Sequence, residues 1–164
     1  MGTPVITIGI DPGLSGAIGF LVDGKFHAVE SMPTAAKGSG TVKNEVSPAG
    51  VLGILRQHTP PVDPVAVAIE RVNARPGEGV ASSFSLGDSF GVVRGVVAVA
   101  RVEAHYVTPA QWKKHFKLTS DKELSRALAL RLFPEAAPQL RFKKDADRAE
   151  ALLLARWLWE TRFA

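Results

Sequence analysis

Cysteine is absent from this chain of 164 residues, and so is any long uninterrupted apolar run. Without thiols the chain can form neither a disulfide framework nor a cysteine-ligated zinc site, which fits a reducing cytosol. The longest apolar stretch, around residues 91–102, is interrupted by Arg94 and Arg101. It falls well short of the about 20 apolar residues that cross a bilayer. The first residues also lack the pattern of a secretion signal, so we expect a cytoplasmic protein that does not enter membranes.

Length and charge narrow the class of protein further. A chain of 164 residues can bury a sizeable core without disulfides, and we expect residues 1–164 to form one domain. The formal net charge is +4. An excess of this size is compatible with nucleic acid binding, but it also occurs in many proteins that bind none.

The first part of the chain predicts antiparallel strands. Residues 5–10 form a continuous apolar run, and residues 16–22 form a second. The second run leads into Asp23-Gly24, a dipeptide suited to a tight hairpin turn. Residues 25–32 then return as a third strand, so the three segments predict an antiparallel arrangement.

In the rest of the chain, predicted helices alternate with strands. Residues 65–72 read as a central parallel strand, and residues 105–107 predict a fifth strand. The main predicted helices cover residues 48–58, 82–101 and 147–162. The predicted fold class is therefore α/β, a five-stranded mixed sheet with three antiparallel and then two parallel strands, flanked by helices.

Other segments carry weaker structural signals. Residues 33–47 are rich in Lys, Gly, Ser and Thr, which predicts a mobile surface loop. Ser120 and Glu123 have the spacing of a capping box at the start of a helix. Glycines recur every four residues from Gly87 to Gly95 on one face of a predicted helix. They would allow close approach either of the domain's own sheet or of a helix from a second copy of the chain.

Four acidic residues are predicted to meet at one edge of the sheet. Asp11 follows the first apolar run, and Glu70 ends the central one. Asp147 and Glu150 lie three residues apart, so a helix would project both to one face. Sites in such sheets form beyond the carboxyl ends of parallel strands, and we therefore expect one acidic cleft. Hard divalent cations such as Mg²⁺ prefer carboxylate oxygens and would balance its charge.

Most of these acids also have an ordinary structural explanation. Asp147 in a first helical turn would be favoured by the helix dipole, and Asp11 before Pro12-Gly13 suits a turn. Glu70 is harder to explain, because a carboxylate that ends a buried run needs a polar partner. Arg71 points to the opposite side of the strand and does not provide one. The coincidence of the four acids is therefore more informative than any one of them.

Several short motifs follow one another along nearly the whole chain. They are IGIDPG at residues 8–13 with Gly16, AIE at residues 68–70 and DRAEAL at residues 147–152. A loop and long helix at residues 79–92 and the segment Thr108-Pro109 with WKK at residues 112–114 add to them. In order and total length this set resembles the RuvC-like Holliday junction resolvases, especially those of bacteriophages.

The resemblance implies an RNase H-like fold and a metal-dependent endonuclease that cleaves Holliday junctions and other branched DNA. The catalytic and metal-binding roles would belong to Asp11, Glu70, Asp147 and Glu150. Two Mg²⁺ or Mn²⁺ ions would activate the attacking water and stabilise the leaving 3′ oxygen, giving 5′-phosphate and 3′-hydroxyl ends. A homodimer is expected, since a four-way junction has near two-fold symmetry. A phage-encoded enzyme would act in the host cytoplasm.

The last acidic motif departs from the phage pattern in one respect. Phage relatives often carry an acid four or five residues before the final one, and here those positions are Ala146 and Asp145. Asp145 could therefore replace Asp147 as the third ligand. We favour Asp147, because helical spacing puts it beside Glu150 while Asp145 falls in the preceding loop.

The resemblance also implies a set of DNA-binding residues. The set is Arg75, Lys113, Lys114, Lys122, Lys143, Lys144 and Arg148. Any single lysine is more often a solvated residue of an amphipathic helix, but the last three adjoin the acids and could attract an anion past them. Phe84 could stack on a base, although we expect it to lie in the core, as we do for Trp157 and Trp159.

Two other functions compete with this interpretation. The segment from Gly9 to Gly16 also resembles the phosphate loop of actin-like and sugar-kinase ATPases, but those need two such lobes and this chain supplies one. A non-catalytic module that binds branched DNA is the third possibility. Retention of Asp11, Glu70 and Glu150 argues against it, because a module without metals would gain by neutralising them.

Overall fold

A five-stranded mixed sheet forms the centre of the computed structural model, which describes residues 2–61 and 63–164. Its strands are β1 (Ile6–Asp11), β2 (Ala17–Val22), β3 (Lys25–Ser31), β6 (Val65–Glu70) and β7 (Glu103–Val107). Their order across the sheet is β3-β2-β1-β6-β7. The first three strands pair antiparallel, and β1-β6 and β6-β7 pair parallel. The predicted fold class is confirmed.

Within residues 2–61 and 63–164, five α-helices flank the sheet. They are α1 (Pro48–His58), α2 (Val80–Val99), α3 (Pro109–His115), α4 (Lys122–Leu132) and α5 (Ala146–Arg162). Two short 3₁₀ turns, Pro134–Gln139 and Lys143–Asp145, connect the last two helices. None of the helices in residues 2–61 and 63–164 has the length and apolar character needed to cross a bilayer.

The sheet has a hydrophobic core on each face, because alternate residues of a strand point to opposite sides. The isoleucines of β1 at positions 6, 8 and 10 face one core, where α1 and α2 supply Val51, Leu55 and Val93. The opposite core is built mainly by α5 and α4 against small residues of the sheet such as Ala66 and Ala68. Burial on both faces explains why the central strands read as continuous apolar runs.

Two glycines bring α5 into direct contact with the sheet. A Cβ added at Gly9 would lie 2.0 Å from the carbonyl oxygen of Ala151, and one at Gly19 would lie 2.9 Å from the amide nitrogen of Leu152. Any side chain at these positions of β1 and β2 would push the helix outwards. The glycines therefore set the height at which α5 crosses the sheet, and with it the position of the acids in its first turns.

The segment predicted as a mobile loop contains a small hairpin. Strands β4 (Thr34–Ala36) and β5 (Asn44–Val46) pair antiparallel as a separate two-stranded sheet. Val46 is buried in the core beneath α1 and α2. The loop prediction was wrong for these residues, because a single apolar anchor and backbone pairing hold three-residue strands that carry little hydrophobic signal.

The cap of α4 also differs from the prediction. Asp121, not Ser120, is the N-cap residue, and its carboxylate accepts a hydrogen bond from the Glu123 amide at 2.9 Å. Glu123 pairs with Arg126 instead of completing a capping box. Asp and Ser are about equally good N-caps, so the backbone path and not the residue type decides that the helix starts after Asp121.

The glycine face of α2 points away from the domain's own core. A Cβ at Gly87, Gly91 or Gly95 would meet no atom within 4 Å. Of the two interpretations of this spacing, packing on the domain's own sheet is therefore wrong. The same face carries Val80 and Val99, which are 88% and 80% exposed.

Candidate active site

The carboxyl ends of β1 and β6 open into a cleft of about 350 Å³. Ile10 of β1 lies opposite Ile69 of β6, so the next residues of the two strands, Asp11 and Glu70, are neighbours across the ladder. Both line the cleft. Parallel pairing in this register is what brings together two acids 59 positions apart in the sequence.

The first turns of α5 add two acids to the same cleft. One carboxylate oxygen from each of Asp11, Asp147 and Glu150 lies within 4.8 Å of the others. Glu150 is almost fully buried, and the other two are partly exposed to the cleft. Residues three apart on a helix share a face, so the short spacing between Asp147 and Glu150 delivers both to one point.

Asp145 takes no part in this acidic cluster. Its carboxylate accepts a hydrogen bond from the Phe142 amide at 2.8 Å and lies 3.8 Å from the guanidinium of Arg148. It is therefore engaged in holding the 3₁₀ turn before α5. The geometry favours Asp147 over Asp145 as the third metal ligand.

Glu70 has a polar partner that the sequence did not reveal. The indole nitrogen of Trp112, a fully buried residue of α3, donates to Glu70 Oε2 at 2.7 Å. Ser125 of α4 donates in the same way to Glu150 Oε1 at 3.2 Å. Sequence spacing could not identify either partner. Trp112 and Ser125 lie on α3 and α4, and the positions of these helices depend on how they pack in the core beneath α5. The signal available in the sequence was a side chain that carries a hydrogen-bond donor, Trp112 or Ser125, at a position that packs into the core.

Two lysines neutralise part of the acidic cluster. Lys113 Nζ lies 3.1 Å from Glu150 Oε1 and also 5.2 Å from the ring centre of Trp112. Lys122 Nζ is hydrogen-bonded to Asp147 Oδ1. The cost of burying Lys122 is outweighed by the bond and charge of Asp147, which together raise the pKa of the Lys122 ammonium. The Lys122 ammonium is thus held in the charged form.

The remaining acids are difficult to ionise together. Burial raises the pKa of Asp11 to about 7, and the charges of Glu70, Asp147 and Glu150 add to the effect, whereas the Gly13 amide at 3.3 Å opposes it. Burial also raises the pKa of Glu70, although the Trp112 hydrogen bond acts in the opposite direction. Acids that repel one another in a partly dry cleft gain strongly from an added positive charge.

The donor set of the cleft fits a hard divalent cation. Carboxylate oxygens are the ligands that Mg²⁺ and Mn²⁺ prefer, and three of them converge within 4.8 Å at Asp11, Asp147 and Glu150. The carboxylate of Glu70 lies in the same cleft outside this tight group. Burial first and the neighbouring acids second raise the pKa of Asp11, and a bound cation would act against both effects.

Six of the seven predicted DNA-binding residues fall into three places. Arg75, Lys113 and Lys122 line the acidic cleft, and a groove of about 820 Å³ continues from it past Lys114 and Lys117. We call this second depression the basic groove. Lys143 and Lys144 lie exposed just before α5.

Arg148 and Phe84 occupy positions that their sequence context did not indicate. Arg148 donates to Ser31 Oγ at 2.9 Å and to the Gln139 carbonyl at 3.3 Å, so it fastens α5 to β3. Its role in DNA binding stays a prediction. Phe84 was expected in the core, but it is 68% exposed on α2, whereas Trp157 packs against the core below α5.

Solved structures similar to this chain are those of RuvC. The structure described as T. thermophilus RuvC in complex with Holliday junction substrate matches with a TM-score of 0.64 and 22% identity over 98% of each chain. A second Thermus thermophilus RuvC structure matches with a TM-score of 0.53 and 21% identity over 95% of each chain. No protein-family model matches the chain, and no curated protein matches it in sequence. Since identity is low and nearly all of both chains is aligned, the comparison establishes that this chain has a RuvC-like fold.

Proposed function

We propose that the chain is a single-domain, metal-dependent endonuclease that cleaves Holliday junctions and other branched DNA. The observation that carries this proposal is the convergence of Asp11, Asp147 and Glu150, with Glu70 beside them, at the carboxyl edge of a RuvC-like sheet. Carboxylate clusters of this kind bind the divalent cations that promote phosphodiester hydrolysis. The basic groove beside the cluster suits a polyanionic substrate.

The chain's own residues would orient the substrate and control charge. When bound, Mg²⁺ or Mn²⁺ ions, two in the full proposal, would supply activation of water and stabilisation of the leaving 3′ oxygen. Lys113 and Lys122, which pair with acids in the free cleft, would be available to a phosphate once other cations balance those acids. Trp112 would keep Glu70 oriented towards the cleft. The products would carry 5′-phosphate and 3′-hydroxyl ends.

The basic groove would carry one DNA arm away from the cleft. Arg75 and Lys113 line both depressions, so positive charge runs without a break from the acids to Lys114 and Lys117. Flexible side chains of this type contact phosphates and position a duplex without reading its sequence. Selectivity for branched DNA would then come from shape, and from the relative position of two active sites.

We also propose that two copies associate through α2. An apolar groove between α1 and α2 is lined by Leu52, Val92 and Val99 together with the open faces of Gly91 and Gly95. Exposed apolar surface with glycines in the middle permits close contact between two helices. A two-fold dimer presents two equivalent sites, as two symmetric cuts in a four-way junction require.

Incubation with a synthetic four-way junction and with linear duplex, in Mg²⁺ or chelator, tests the activity. We expect symmetric nicking of the junction in Mg²⁺ and none in chelator. Asp11→Asn and Glu150→Gln should still bind the junction but lower the cleavage rate by on the order of 10³-fold or more. Glu135→Gln, at an exposed acid remote from the cleft, is the matched control.

Three results would contradict the proposal. Equal cleavage of junction and linear duplex would exclude selectivity for branched DNA. Binding without cleavage in any divalent metal would indicate a non-catalytic DNA-binding module. ATP hydrolysis in the absence of DNA would indicate an ATPase.

A further inference from the structure

An exposed aromatic residue stands among cations just before α5. Phe142 is 54% exposed, and residues 141, 143 and 144 on either side are Arg, Lys and Lys. The guanidinium of Arg141 and the ammonium of Lys144 lie 5.5 Å and 5.6 Å from the centre of its ring. We call residues 141–144 the basic-aromatic tip.

Hydrogen bonds fix the backbone of the basic-aromatic tip. The Phe142 amide donates to Asp145 Oδ2 at 2.8 Å, and the Asp145 amide donates back to the Phe142 carbonyl at 2.9 Å. Arg126 of α4 donates to the Leu140 carbonyl at 2.8 Å. The exposure of Phe142 is therefore a consequence of a hydrogen-bonded turn and not of a loose loop. Folding leaves the ring in water, so its apolar face can be covered only by a partner.

The surroundings of Phe142 distinguish it from the other exposed phenylalanines. Phe84 has one cation near its ring, Lys37 at 5.8 Å, but it shares a helix face with glycines and valines, which suits an apolar contact between protein chains. Phe163 stacks on Trp159 at the far end of α5. Phe142 is surrounded by positive charge, so its partner must offer both a flat apolar face and negative charge. Nucleic acid bases and the phosphates that join them have both properties.

The tip lies next to the candidate active site. Phe142 precedes Asp147 by five residues, and the 3₁₀ turn at the tip leads directly into α5. Lys143 is also close enough to Glu123, in the first turn of α4, for their charges to interact. The neighbouring residue of that turn is Lys122, which contacts Asp147. The tip does not line the cleft itself but lies beside the end of α5 that carries Asp147.

We propose that Phe142 stacks on a base whose face is open at the branch point of the DNA, while Arg141, Lys143 and Lys144 contact the flanking phosphates. This inference rests on the proposed function and adds a contact that favours branched over linear DNA. In a linear duplex both faces of each internal base are covered by neighbouring bases. At a branch point stacking is interrupted, and a rigid exposed ring can take the place of the missing neighbour.

The existing contacts of Phe142 do not prevent this stacking. A cation 5.5 Å from an exposed ring is near the outer limit of a cation–π contact and is weakly held. Arg141 and Lys144 can turn from the ring to phosphates without any change in the backbone. Stacking of one base on an aromatic side chain corresponds to roughly 5- to 150-fold in affinity.

The test compares binding of a four-way junction and a linear duplex of equal length, in Ca²⁺ or chelator to prevent cleavage. Phe142→Ala should weaken junction binding by roughly 5- to 150-fold and leave duplex binding nearly unchanged. Phe142→Trp should restore the junction affinity. Phe163→Ala, at an aromatic residue 38% exposed at the opposite end of α5, is the matched control and should change neither affinity. A 2-aminopurine base at the branch point should be quenched by the wild type and not by Phe142→Ala.

The proposal is overturned if Phe142→Ala binds the junction as tightly as the wild type, or if it loses junction and duplex affinity to the same extent. It is also overturned if Phe142 instead controls binding to vesicles of anionic lipid with no effect on the junction. Cleavage by the wild type in Mg²⁺ is measured in parallel. If the wild type does not cleave the junction, the proposed function is contradicted. If the wild type cleaves it and Phe142→Ala does not change junction affinity, only the proposed role of the tip is contradicted.

Discussion

Asp11 carries the charge that the folded chain accommodates least well. Its pKa is raised to about 7 by burial and by the neighbouring acids, against an ordinary value of 3.8. Between these two values the folded chain holds a proton that the unfolded chain has released, so folding becomes less favourable as the pH rises. The stability that comes with the neutral Asp11 carboxyl is complete below about pH 4 and is lost as the pH rises through 7. Near pH 4 other carboxyl groups also titrate, so the effect of Asp11 on stability is best measured between pH 5.5 and 8.

The metal-free protein should therefore melt at a lower temperature at pH 8 than at pH 5.5. Asp11→Asn removes the titrating group and should flatten this dependence, and it should raise Tm at pH 8 by about 2–4 °C for each kcal/mol recovered. Addition of Mg²⁺ at pH 8 should stabilise the wild type more than the variant. Thermal scans in chelator and in Mg²⁺ provide the measurement. A wild-type Tm that is equal at both pH values would show that folding does not raise the pKa of the Asp11 carboxyl.

Trp112 controls the protonation of Glu70 through a single hydrogen bond. Phe at position 112 keeps most of the buried ring and removes the N–H that donates to Glu70 at 2.7 Å. The pKa of Glu70, already raised by burial, should rise further, and the acidic limb of the pH–rate profile should move to higher pH. Stability should fall by roughly 1–3 kcal/mol. Trp157→Phe, which alters a ring remote from the acids, should leave the pH profile in place; a shift in that control would point to a general packing effect.

At the scale of elements, a substitution on the glycine face of α2 should affect the stability of the monomer and the association of two chains in opposite directions. A Cβ at position 91 meets no atom within 4 Å, so in Gly91→Leu the loss of a helical glycine should stabilise the monomer by up to roughly 1 kcal/mol. The same side chain should prevent close approach of a second α2, so the dimer should dissociate and paired cleavage of junctions should be lost. Sedimentation and thermal melting give the two measurements.

Gly53→Leu is the control for that experiment. Gly53 is an exposed helical glycine of α1 with open space around it and does not line the apolar groove. The substitution should give a similar gain in monomer stability without changing the oligomeric state. If Gly91→Leu remains a dimer, the two chains do not meet at the glycine face of α2.

Gly9 should be far less tolerant than the glycines of α2. A Cβ at this position would lie 2.0 Å from a backbone carbonyl of α5, which cannot move aside as a flexible side chain can. Gly9→Ala should therefore destabilise the protein by roughly 1–3 kcal/mol or more and displace the acids of α5 from Asp11. Gly87→Ala is the matched substitution in open space and should be neutral or stabilising. Chemical denaturation and Mg²⁺ affinity measure the two consequences.

The elements differ in how well the sequence predicts them. The strands of the main sheet were predictable because residues such as Ile6, Ile8 and Ile10 are part of long apolar runs, and α1 begins at a Ser-Pro pair and ends before a cluster of prolines. The hairpin β4–β5 was not predictable, because all its residues except Val46 are exposed and its three-residue strands are held mainly by backbone pairing. The acids could be located from the ends of their elements, whereas the partners of Glu70 and Glu150 come from helices brought near only by tertiary packing.

At the scale of the molecule, one positively charged path should govern DNA affinity and its response to salt. Lys114 and Arg75 line the basic groove, and Lys114→Ala and Arg75→Ala would each remove one proposed phosphate contact. Each should lower the slope of log K against log salt by about one and weaken junction and duplex alike. Lys25→Ala is the control, because Lys25 pairs with Val22 at the end of the sheet opposite the acids. Unchanged slopes for both groove variants would mean that the DNA follows another surface.

The candidate active site combines opposite charges in equal number. Four acids line the cleft, and so do four cations, Arg71, Arg75, Lys113 and Lys122. The molecule therefore carries two internal counterions, the lysines that contact Asp147 and Glu150. In the proposed enzyme a divalent cation would displace these lysines from the acids, and a chelator would let them return.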